Sequence, residues 1–569
     1  MESTPRRTGV RILGLALAAL ALAVPSAAQA EPGDVEVQLL GLNDFHGNLE
    51  PPAGSSGRIL PAPGGTNVDA GGAAFLATHI RQMRAGNPNS LVVSAGDLIG
   101  ASPLLSAAFH DEPTIEAMNR IGLDLNAVGN HEFDEGEAEL LRMQEGGCHP
   151  TDAAGTCKDA DGSFDGADFT FLAANVVRRD TGRPLFAPYE IRKFDNIKVG
   201  FIGMTLEGTP DIVSPSGIRN LEFLDEAETA NRYARELRDE HGVRAVVVLL
   251  HEGGFPTPFG GINACNVSGP IVDIVNRTDD AVDLFVTGHT HQPYNCVIDG
   301  RPVTSASSFG RLVTDIDVKL DRRTKDVENV SANNVIVTRT VAPAFDVQAL
   351  IDRYTTLVAP VRDRVIGSLS APITRASDAS GESTAGNFVA DAQLLDTVSE
   401  GAVAAFMNPG GVRADIDAGP VTYGEAFTMQ PFGNNLTTIT LTGAQLHELL
   451  KQQWCGLSST RILLPSHTVH YTFDAAKVVV GAPCATAQNP VVPGSLTING
   501  QAVPDDASQS YRITVNSFLA DGGDGFSVLP RGADRVGGAV DTDALERYFA
   551  TAPELSPPPL NRIDVMPAP

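Results

Sequence analysis

Five apolar runs in the N-terminal part of the sequence each end in a glycine-containing turn that carries an acid, an amide or an imidazole. The runs are Val35–Leu42, Leu91–Ser94, Leu125–Val128, Val246–Leu250 and Val282–Val286. Seven candidate ligands follow them: Asp44, His46, Asp97, Asn130, His251, His289 and His291. In open α/β sheets, ligands bind beyond the carboxyl ends of the strands, so we expect these side chains to converge.

These residue types predict a metal centre. Imidazole nitrogens, carboxylate oxygens and amide oxygens suit zinc, manganese, iron, cobalt or similar divalent ions. Seven ligands are too many for one tetrahedral site, but they suit two metals about 3.5–4 Å apart that share a carboxylate. Asp97 is the natural bridge, because a carboxylate has two oxygens and Asp97 is central in the chain order. Such a pair polarises phosphoryl oxygens and lowers the pKa of a bound water.

Each of these residues alone has a simpler explanation. An aspartate or histidine at the end of a strand more often belongs to the turn itself. Asn130-His131-Glu132 in isolation could simply cap a helix. The recurrence of the same residue types at the same structural place is what favours a metal site.

Predicted helices lie between the apolar runs, and their packing positions the ends of the strands that carry the candidate ligands. Amphipathic segments such as Ala73–Arg84 and Asp225–Glu240 alternate with β-branched runs, which predicts sheets covered by helices. Val341–Val365 is predicted to be one long helix that connects two domains. The sequence therefore predicts a first α/β domain over residues 31–340, a linker helix over 341–365 and a second α/β or α+β domain over 366–569.

Length, composition and charge limit the possible functions. A chain of 569 residues is too long for one ordinary domain, and its 42% hydrophobic content excludes wholesale disorder. A formal net charge of −28 argues against broad binding of a nucleic-acid polymer. Small phosphorylated ligands fit if a local metal or arginine cluster inverts the field.

Residues 1–30 are typical of a secretory signal peptide. Arg6, Arg7 and Arg11 precede an apolar stretch, Ile12–Val24, and Ala28-Gln29-Ala30 is a typical cleavage site. The alternative is an uncleaved membrane anchor, and the Arg6-Arg7 pair leaves the twin-arginine route open. We expect a free exported protein without a stable membrane anchor, either secreted or periplasmic.

The six cysteines fit an oxidising compartment. No C-x-x-C pair is present, which argues against a cysteine metal site. Among the fifteen possible pairings we predict the sequential one: Cys148–Cys157, Cys265–Cys296 and Cys455–Cys484.

The motifs Asp-x-His, Gly-Asp, Gly-Asn-His-Glu, His and Gly-His-x-His, in this order, resemble those of the calcineurin-like metallophosphoesterases. The forms over Leu42–Gly47 and Gly129–Asp134 are similar to the secreted 5′-nucleotidase branch. The resemblance implies a four-layer α/β/β/α catalytic domain followed by a second α/β domain. It implies that His131, oriented by Asp134, stabilises the transferring phosphoryl group or its leaving oxygen. It also implies two metal sites that share Asp97: Asp44, His46, Asp97 and His291 hold one ion, and Asp97, Asn130, His251 and His289 hold the other.

Loops of the second domain supply a candidate substrate site. Two phenylalanines in glycine-containing loops can either stack on a flat base or pack into their own domain core. The segments resemble the 5′-nucleotidase C-terminal domain: Gly381–Phe388, Asn408–Arg413, Gln430–Asn434 and Asn516–Gly525. That resemblance implies the following substrate residues: Phe432 and Phe518 around the base, Asp524 on the ribose hydroxyls, and Asn408, Asn434 and Arg413 as further contacts.

The sequence departs from the family pattern at two places. Gly381 stands where several relatives carry an arginine, and Arg375 is the candidate substitute. Asn408-Pro409-Gly410 replaces the more usual Asn-Gly-Gly, which stiffens the loop.

Taken together, the resemblance implies an exported dimetal 5′-nucleotidase that converts nucleoside 5′-monophosphates to nucleoside and phosphate. The alternatives on the same site are hydrolysis of 2′,3′-cyclic nucleotides or of UDP-sugars. A non-enzymatic alternative is an extracellular nucleotide-binding protein, which should have lost a ligand or the catalytic histidine. The family also implies rotation of the second domain, with the hinge at the Val341–Val365 segment. These motifs specify neither the identity of the metals nor the oligomeric state.

Overall fold

The first domain contains two mixed six-stranded sheets that pack face to face. The computed structural model describes Met1 and residues 33–52, 54–159, 161–213, 215–256, 258–456 and 459–566. Apart from Met1, the predicted signal peptide therefore lies outside the described residues.

The strands follow each other across each sheet in a fixed order. In the first sheet the order is Val327–Ile336, Leu312–Asp321, Asp34–Leu42, Ser90–Ser94, Leu125–Ala127 and Thr170–Leu172, and the last four strands are parallel. In the second sheet the order is Pro293–Ile298, Arg301–Ala306, Leu284–Thr287, Ala245–His251, Ile197–Thr205 and Tyr189–Phe194, and the inner four are parallel. Their carboxyl ends carry the candidate ligands.

Helices cover the outer face of each sheet and complete a four-layer α/β/β/α domain, as predicted. Apolar side chains of both sheets meet in the central layer, for example Val93 and Leu125 against Phe201 and Val247. The helices over the first sheet are Ala73–Arg84, Leu104–Ala107, Glu112–Ile121, Glu137–Glu145 and Phe345–Arg362. Those over the second sheet are Glu226–His241 and Pro270–Arg277.

The helix between the domains is shorter than the predicted Val341–Val365. It spans Phe345–Arg362, because Pro343 disfavours helical geometry at Ala342, and Val365 begins a strand, Val365–Leu369. The helix buries Leu350, Ile351 and Tyr354 against the helices of the first domain. It is therefore the last helix of that domain's outer layer, and the chain leaves it at Asp363.

The second domain has its own mixed sheets and helices. A five-stranded sheet has the order Leu464–Pro465, Ala404–Met407, Ser510–Asn516, Asn435–Thr442 and Ala533–Val540. A four-stranded sheet has the order Gln501–Ala502, Thr497–Ile498, Val469–Asp474 and Ile563–Met566. The principal helices are Thr384–Thr397, Tyr423–Met429, Gly443–Gln452 and Asp541–Phe549. This arrangement confirms the predicted two-domain α/β architecture.

Three disulfides join the predicted sequential pairs, Cys148–Cys157, Cys265–Cys296 and Cys455–Cys484. Among the described residues, no helix has both the length and the apolar character that crossing a bilayer requires.

Asn334 connects the two sheets of the first domain through its side chain. Its amide nitrogen donates to the carbonyl oxygens of Ile262 at 2.7 Å and Ser305 at 2.9 Å, and its amide oxygen accepts from the Thr314 hydroxyl at 2.6 Å. Ser305 lies in the second sheet and Thr314 in the first. The side chain is buried, so these polar groups depend on one another.

We predict that Asn334→Ala destabilises the first domain, because it leaves buried carbonyl and hydroxyl groups without partners. The expected cost is about 2 kcal/mol, which lowers the calorimetric unfolding midpoint by about 4 °C. Asn329→Ala is the matched control, because Asn329 is exposed on the same strand. Equal midpoints for the two variants would contradict the role assigned to Asn334.

Candidate active site

All seven candidate ligands lie together at the carboxyl ends of the parallel strands, where the two sheets meet. Asp44, His46 and His291 form one group, and Asp97, His251 and His289 form a second. Within each group the donor atoms lie within 4.8 Å of one another. Asn130 joins the second group, because its amide oxygen lies 3.0 Å from His289 Nδ1.

Asp97 lies between the two groups. Its Oδ2 is 3.0 Å from His251 Nε2 and 3.5 Å from His46 Nε2, so one carboxylate oxygen faces an imidazole of each group. Asp97 therefore has the placement that a bridging carboxylate requires. Within the first group, Asp44 Oδ1 lies 3.3 Å from His291 Nε2.

Backbone carbonyls fix the tautomers of two of these histidines. His46 Nδ1 donates to the carbonyl of Gly100 at 2.9 Å, and His251 Nδ1 donates to that of Ala95 at 2.7 Å. The Nε2 lone pairs therefore point into the cluster, as metal-bound histidines require. Within the described part of the chain, the buried Nε2 of His251 faces Asp97 Oδ2 at 3.0 Å without a well-aligned hydrogen bond, as expected for two ligands of one ion. Burial lowers the pKa of His289 to about 3, which keeps that imidazole neutral. The donor set fits two divalent metal ions.

The ligand-bearing turns have an unusual backbone. Asp44, His46, Asp97, His289 and His291 all have a positive φ, between 47° and 69°. This conformation is costly for residues other than glycine and persists only where the surrounding structure determines it. At Gly129, a Cβ would lie 2.2 Å from Asp97 Oδ1, so the close approach to the bridging carboxylate requires glycine.

Glu132 is a buried carboxylate that the sequence analysis did not identify as functional. It accepts hydrogen bonds from the backbone amides of Asp97 at 2.9 Å, Leu98 at 2.9 Å and Gly129 at 2.5 Å. It thus joins the turn that carries Asp97 to the turn that carries Asn130. Burial, followed by the charge of Asp97, raises the pKa of Glu132 to about 7. The motif Gly-Asn-His-Glu contained this residue, but its spacing does not indicate what the carboxylate binds.

His131 and Asp134 form a hydrogen-bonded pair at the edge of the ligand cluster. His131 Nδ1 lies 2.8 Å from Asp134 Oδ2, which also accepts from the backbone amide of Ala101 at 3.2 Å. Burial disfavours the imidazolium, but the carboxylates of Asp134 and Asp97 outweigh it and raise the pKa of His131. The pair presents the other ring nitrogen as a proton donor.

A cavity of about 390 Å³ between the two domains contains both parts of the predicted site. From the first domain it is lined by Asn130, His131, Asp134, His289 and His291. From the second domain it is lined by Asn408, Arg413, Phe432, Asn434, Phe518 and Asp524. The Phe432 ring stacks on His131, with centroids 5.6 Å apart, and the Arg413 guanidinium lies 5.9 Å from the Phe432 ring centre.

Among the predicted substrate residues, Arg375 is the one that the structure places outside the lining of this cavity. Its Nε lies 3.5 Å from Asp415 Oδ1. Burial lowers the pKa of Arg413, and the positive charge of Arg375 lowers it further. Among the described residues, the two polar lining residues that the motifs did not single out are Ser459 and Arg461, which follow Cys455 in the chain.

Comparisons with known proteins agree with this geometry. Sequence models of the calcineurin-like phosphoesterases and of the 5′-nucleotidase C-terminal domain match residues 37–293 and 365–531. Cell wall protein Lmo0130 of Listeria monocytogenes is 32% identical over 573 residues, which cover 95% of this chain and 70% of the relative. Endonuclease YhcR of Bacillus subtilis is 32% identical over 489 residues, or 85% of this chain, which spans 37% of that relative's length. A crystal structure of a 5′-nucleotidase precursor from Thermus thermophilus has a TM-score of 0.75 and 27% identity, covering 94% of this chain and all of that one.

The four-layer fold and the paired ligand groups define a metal-dependent phosphoester hydrolase. The second domain narrows this class, and the chain belongs to the 5′-nucleotidase family of calcineurin-like phosphoesterases.

We predict that Glu132→Gln weakens metal binding by about 10–100-fold, because an amide group would face backbone N–H donors and loosen the two ligand turns. Titration calorimetry of the metal-depleted chain with Mn²⁺ measures this loss. Glu145→Gln, on an exposed position of the helix Glu137–Glu145, should bind as the parent does. An unchanged affinity in Glu132→Gln would exclude the positioning role.

Proposed function

We propose that the chain is an exported dimetal 5′-nucleotidase that hydrolyses nucleoside 5′-monophosphates to nucleoside and phosphate. The observation that carries this proposal is the shared cavity, which is lined by His131 and three of the candidate metal ligands, Asn130, His289 and His291, and also by Phe432, Phe518 and Asp524. This lining suits a nucleotide whose phosphate group binds beside the metal ligands and whose base and ribose bind to the second domain.

The proposed mechanism assigns separate tasks to the residues of the first domain. Two divalent metal ions, held by the seven ligands, would polarise the phosphoryl group and lower the pKa of a water molecule. His131, held by Asp134, donates a proton to the departing O5′ atom of the nucleoside. Arg413 supplies a fixed cation for the non-bridging phosphoryl oxygens.

The second domain would hold the nucleoside. Phe432 and Phe518 are half-buried in the cavity wall and offer aromatic faces to a base. Each stacking contact would contribute about 1–3 kcal/mol to the binding free energy. Asp524 offers a carboxylate to the ribose hydroxyls. Asn408 donates to Asp524 Oδ2 at 2.8 Å, so part of its role is to orient that carboxylate.

Export of the chain is supported by its disulfides. Three of them join all six cysteines, and such bonds form and persist outside the reducing cytosol. The predicted signal peptide is consistent with the same destination, a secreted or periplasmic location.

Phosphodiester hydrolysis is the second candidate function. It is supported by the name of one relative, an endonuclease, which is an enzyme that cleaves phosphodiesters. For a chain with this cavity, the corresponding small phosphodiesters are 2′,3′-cyclic nucleotides. UDP-sugars, in which a phosphoanhydride bond would be hydrolysed, are a further candidate on the same site. A nucleotide-binding protein without activity is disfavoured, because all seven ligands and His131 are present.

The mature chain is expected to release phosphate from AMP, to lose this activity with EDTA and to regain it with Mn²⁺, Co²⁺ or Zn²⁺. Asp97→Asn should abolish turnover, whereas Asp180→Asn, at an exposed position, should retain it. Turnover of 2′,3′-cyclic AMP or UDP-glucose without AMP turnover would replace the first candidate by the second. If the chain hydrolyses none of these substrates and binds no metal, the proposal of a metal-dependent hydrolase is wrong.

His131→Ala should lower kcat for AMP by about 10²–10⁴-fold, because the nucleoside O5′ is a poor leaving group that requires a proton donor. p-Nitrophenyl phosphate has a good leaving group, so its hydrolysis should fall far less. Steady-state rates for both substrates, with the metal content measured in parallel, check this. Equal losses for the two substrates would assign His131 to phosphoryl stabilisation instead.

A further inference from the structure

Arg461 lines the central cavity, although neither the sequence motifs nor the proposed mechanism gives it a role. Its Nε lies 3.7 Å from Oδ1 of Asp524, within ion-pair range but beyond hydrogen-bond range. The Asp524 side chain is only 6% exposed, whereas that of Arg461 is 32% exposed. The two residues therefore form a pair in which the carboxylate is buried and the cation reaches solvent.

A directional chain of amides holds the other oxygen of this carboxylate. The backbone amide of Leu519 donates to Asn516 Oδ1 at 2.8 Å, and Asn516 Nδ2 donates to Asn408 Oδ1 at 2.9 Å. Asn408 then donates to Asp524 Oδ2 at 2.8 Å. Because each amide is oriented by the one before it, a donor rather than an acceptor faces Asp524, which favours its ionised form.

Two hydrogen bonds to Gln453 position the backbone at and just after Arg461. The backbone amide of Arg461 donates to the carbonyl of Gln453 at 2.8 Å, and Gln453 Oε1 accepts from the amide of Leu463 at 2.7 Å. The Arg461 side chain thus extends from a hydrogen-bonded backbone.

Burial and charge act on Asp524 in opposite directions. Burial raises the pKa of Asp524, and Arg461 is the charged group that opposes this, with further help from Asn408. On the same segment as Asp524, Asp521 is paired with Arg535 at 2.6 Å and is exposed. Arg461 is therefore the cation that compensates the buried carboxylate.

We propose that Arg461 is a positioning residue that holds the Asp524 carboxylate as an acceptor for the vicinal hydroxyls of a ribonucleoside. Asp524 Oδ2 accepts from Asn408, whereas Oδ1 lies 3.7 Å from Arg461 Nε, beyond hydrogen-bond range, so its lone pairs can accept from a ligand hydroxyl. The inference rests on the proposed function for the identity of the ligand. It makes Arg461 a determinant of ribose recognition that acts through Asp524.

Calorimetric binding of adenosine and of 2′,3′-dideoxyadenosine to the full mature chain, at pH 5.5 and pH 8, tests this without requiring turnover. In Arg461→Gln the cation is lost, so the pKa of Asp524 rises and its carboxylate is protonated at a higher pH. We expect adenosine binding to weaken more at pH 5.5 than at pH 8, by at most about tenfold for a pKa increase of about one unit. The preference for adenosine over its dideoxy analogue should likewise fall more at pH 5.5 than at pH 8.

Two further variants separate positioning from mere loop stability. Arg461→Lys retains the charge and should restore most of the pH 5.5 affinity, whereas Arg535→Gln removes an exposed cation elsewhere and should bind as the parent does. Parent-like affinity and pH dependence in Arg461→Gln would overturn the proposal, as would a parent chain that binds both nucleosides equally or not at all. AMP turnover by that same parent chain would leave the proposed hydrolase standing, so the two failures are distinguishable.

Discussion

The structure depends on two carboxylates, Asp44 and Asp97, that are buried and yet ionised. Burial raises the pKa of a carboxyl group, but the surrounding imidazoles outweigh it and keep the pKa of both residues below the ordinary value, that of Asp97 well below. Buried charge of this kind is tolerated only when it is paired or coordinates metal. The histidine ligands, the inward-facing Nε2 atoms and the cation of Arg413 are arranged around that requirement.

This requirement also explains why the two sheets are fixed relative to each other. His251, at the end of a second-sheet strand, donates to the Ala95 carbonyl beyond a first-sheet strand. The backbone amide of His289, which also follows a second-sheet strand, donates at 3.0 Å to the carboxylate of Asp44, which follows a first-sheet strand. A small shift of one sheet against the other would break these contacts and separate the ligand groups. The apolar layer between the sheets and the polar contacts at their ends therefore stabilise each other.

The sequence was informative where a residue type recurred at a fixed structural position. The ligands could be predicted because each follows an apolar run and a glycine, and the four layers could be predicted because strand and helix patterns alternate. Glu132 could not, because its partners are backbone amides, which leave no trace in residue types. Arg461 was missed because hydrogen bonds to Gln453 position its backbone, and no motif indicates such contacts. The sequence predicts too long a connecting helix, because the apolar pattern extends before Pro343 at one end and into a strand at the other.

The wide spacing of the ligands along the chain has a consequence for the order of assembly. His46 and His291 are 245 positions apart, yet their Nε2 atoms lie 3.1 Å from each other. No short segment of the chain can collect this donor set, so both sheets must be complete before a high-affinity site exists. A chain that crosses a membrane unfolded would therefore acquire its ions only after translocation. The ion it carries would then be selected by the composition of the external medium, and no longer by the metal homeostasis of the cytosol.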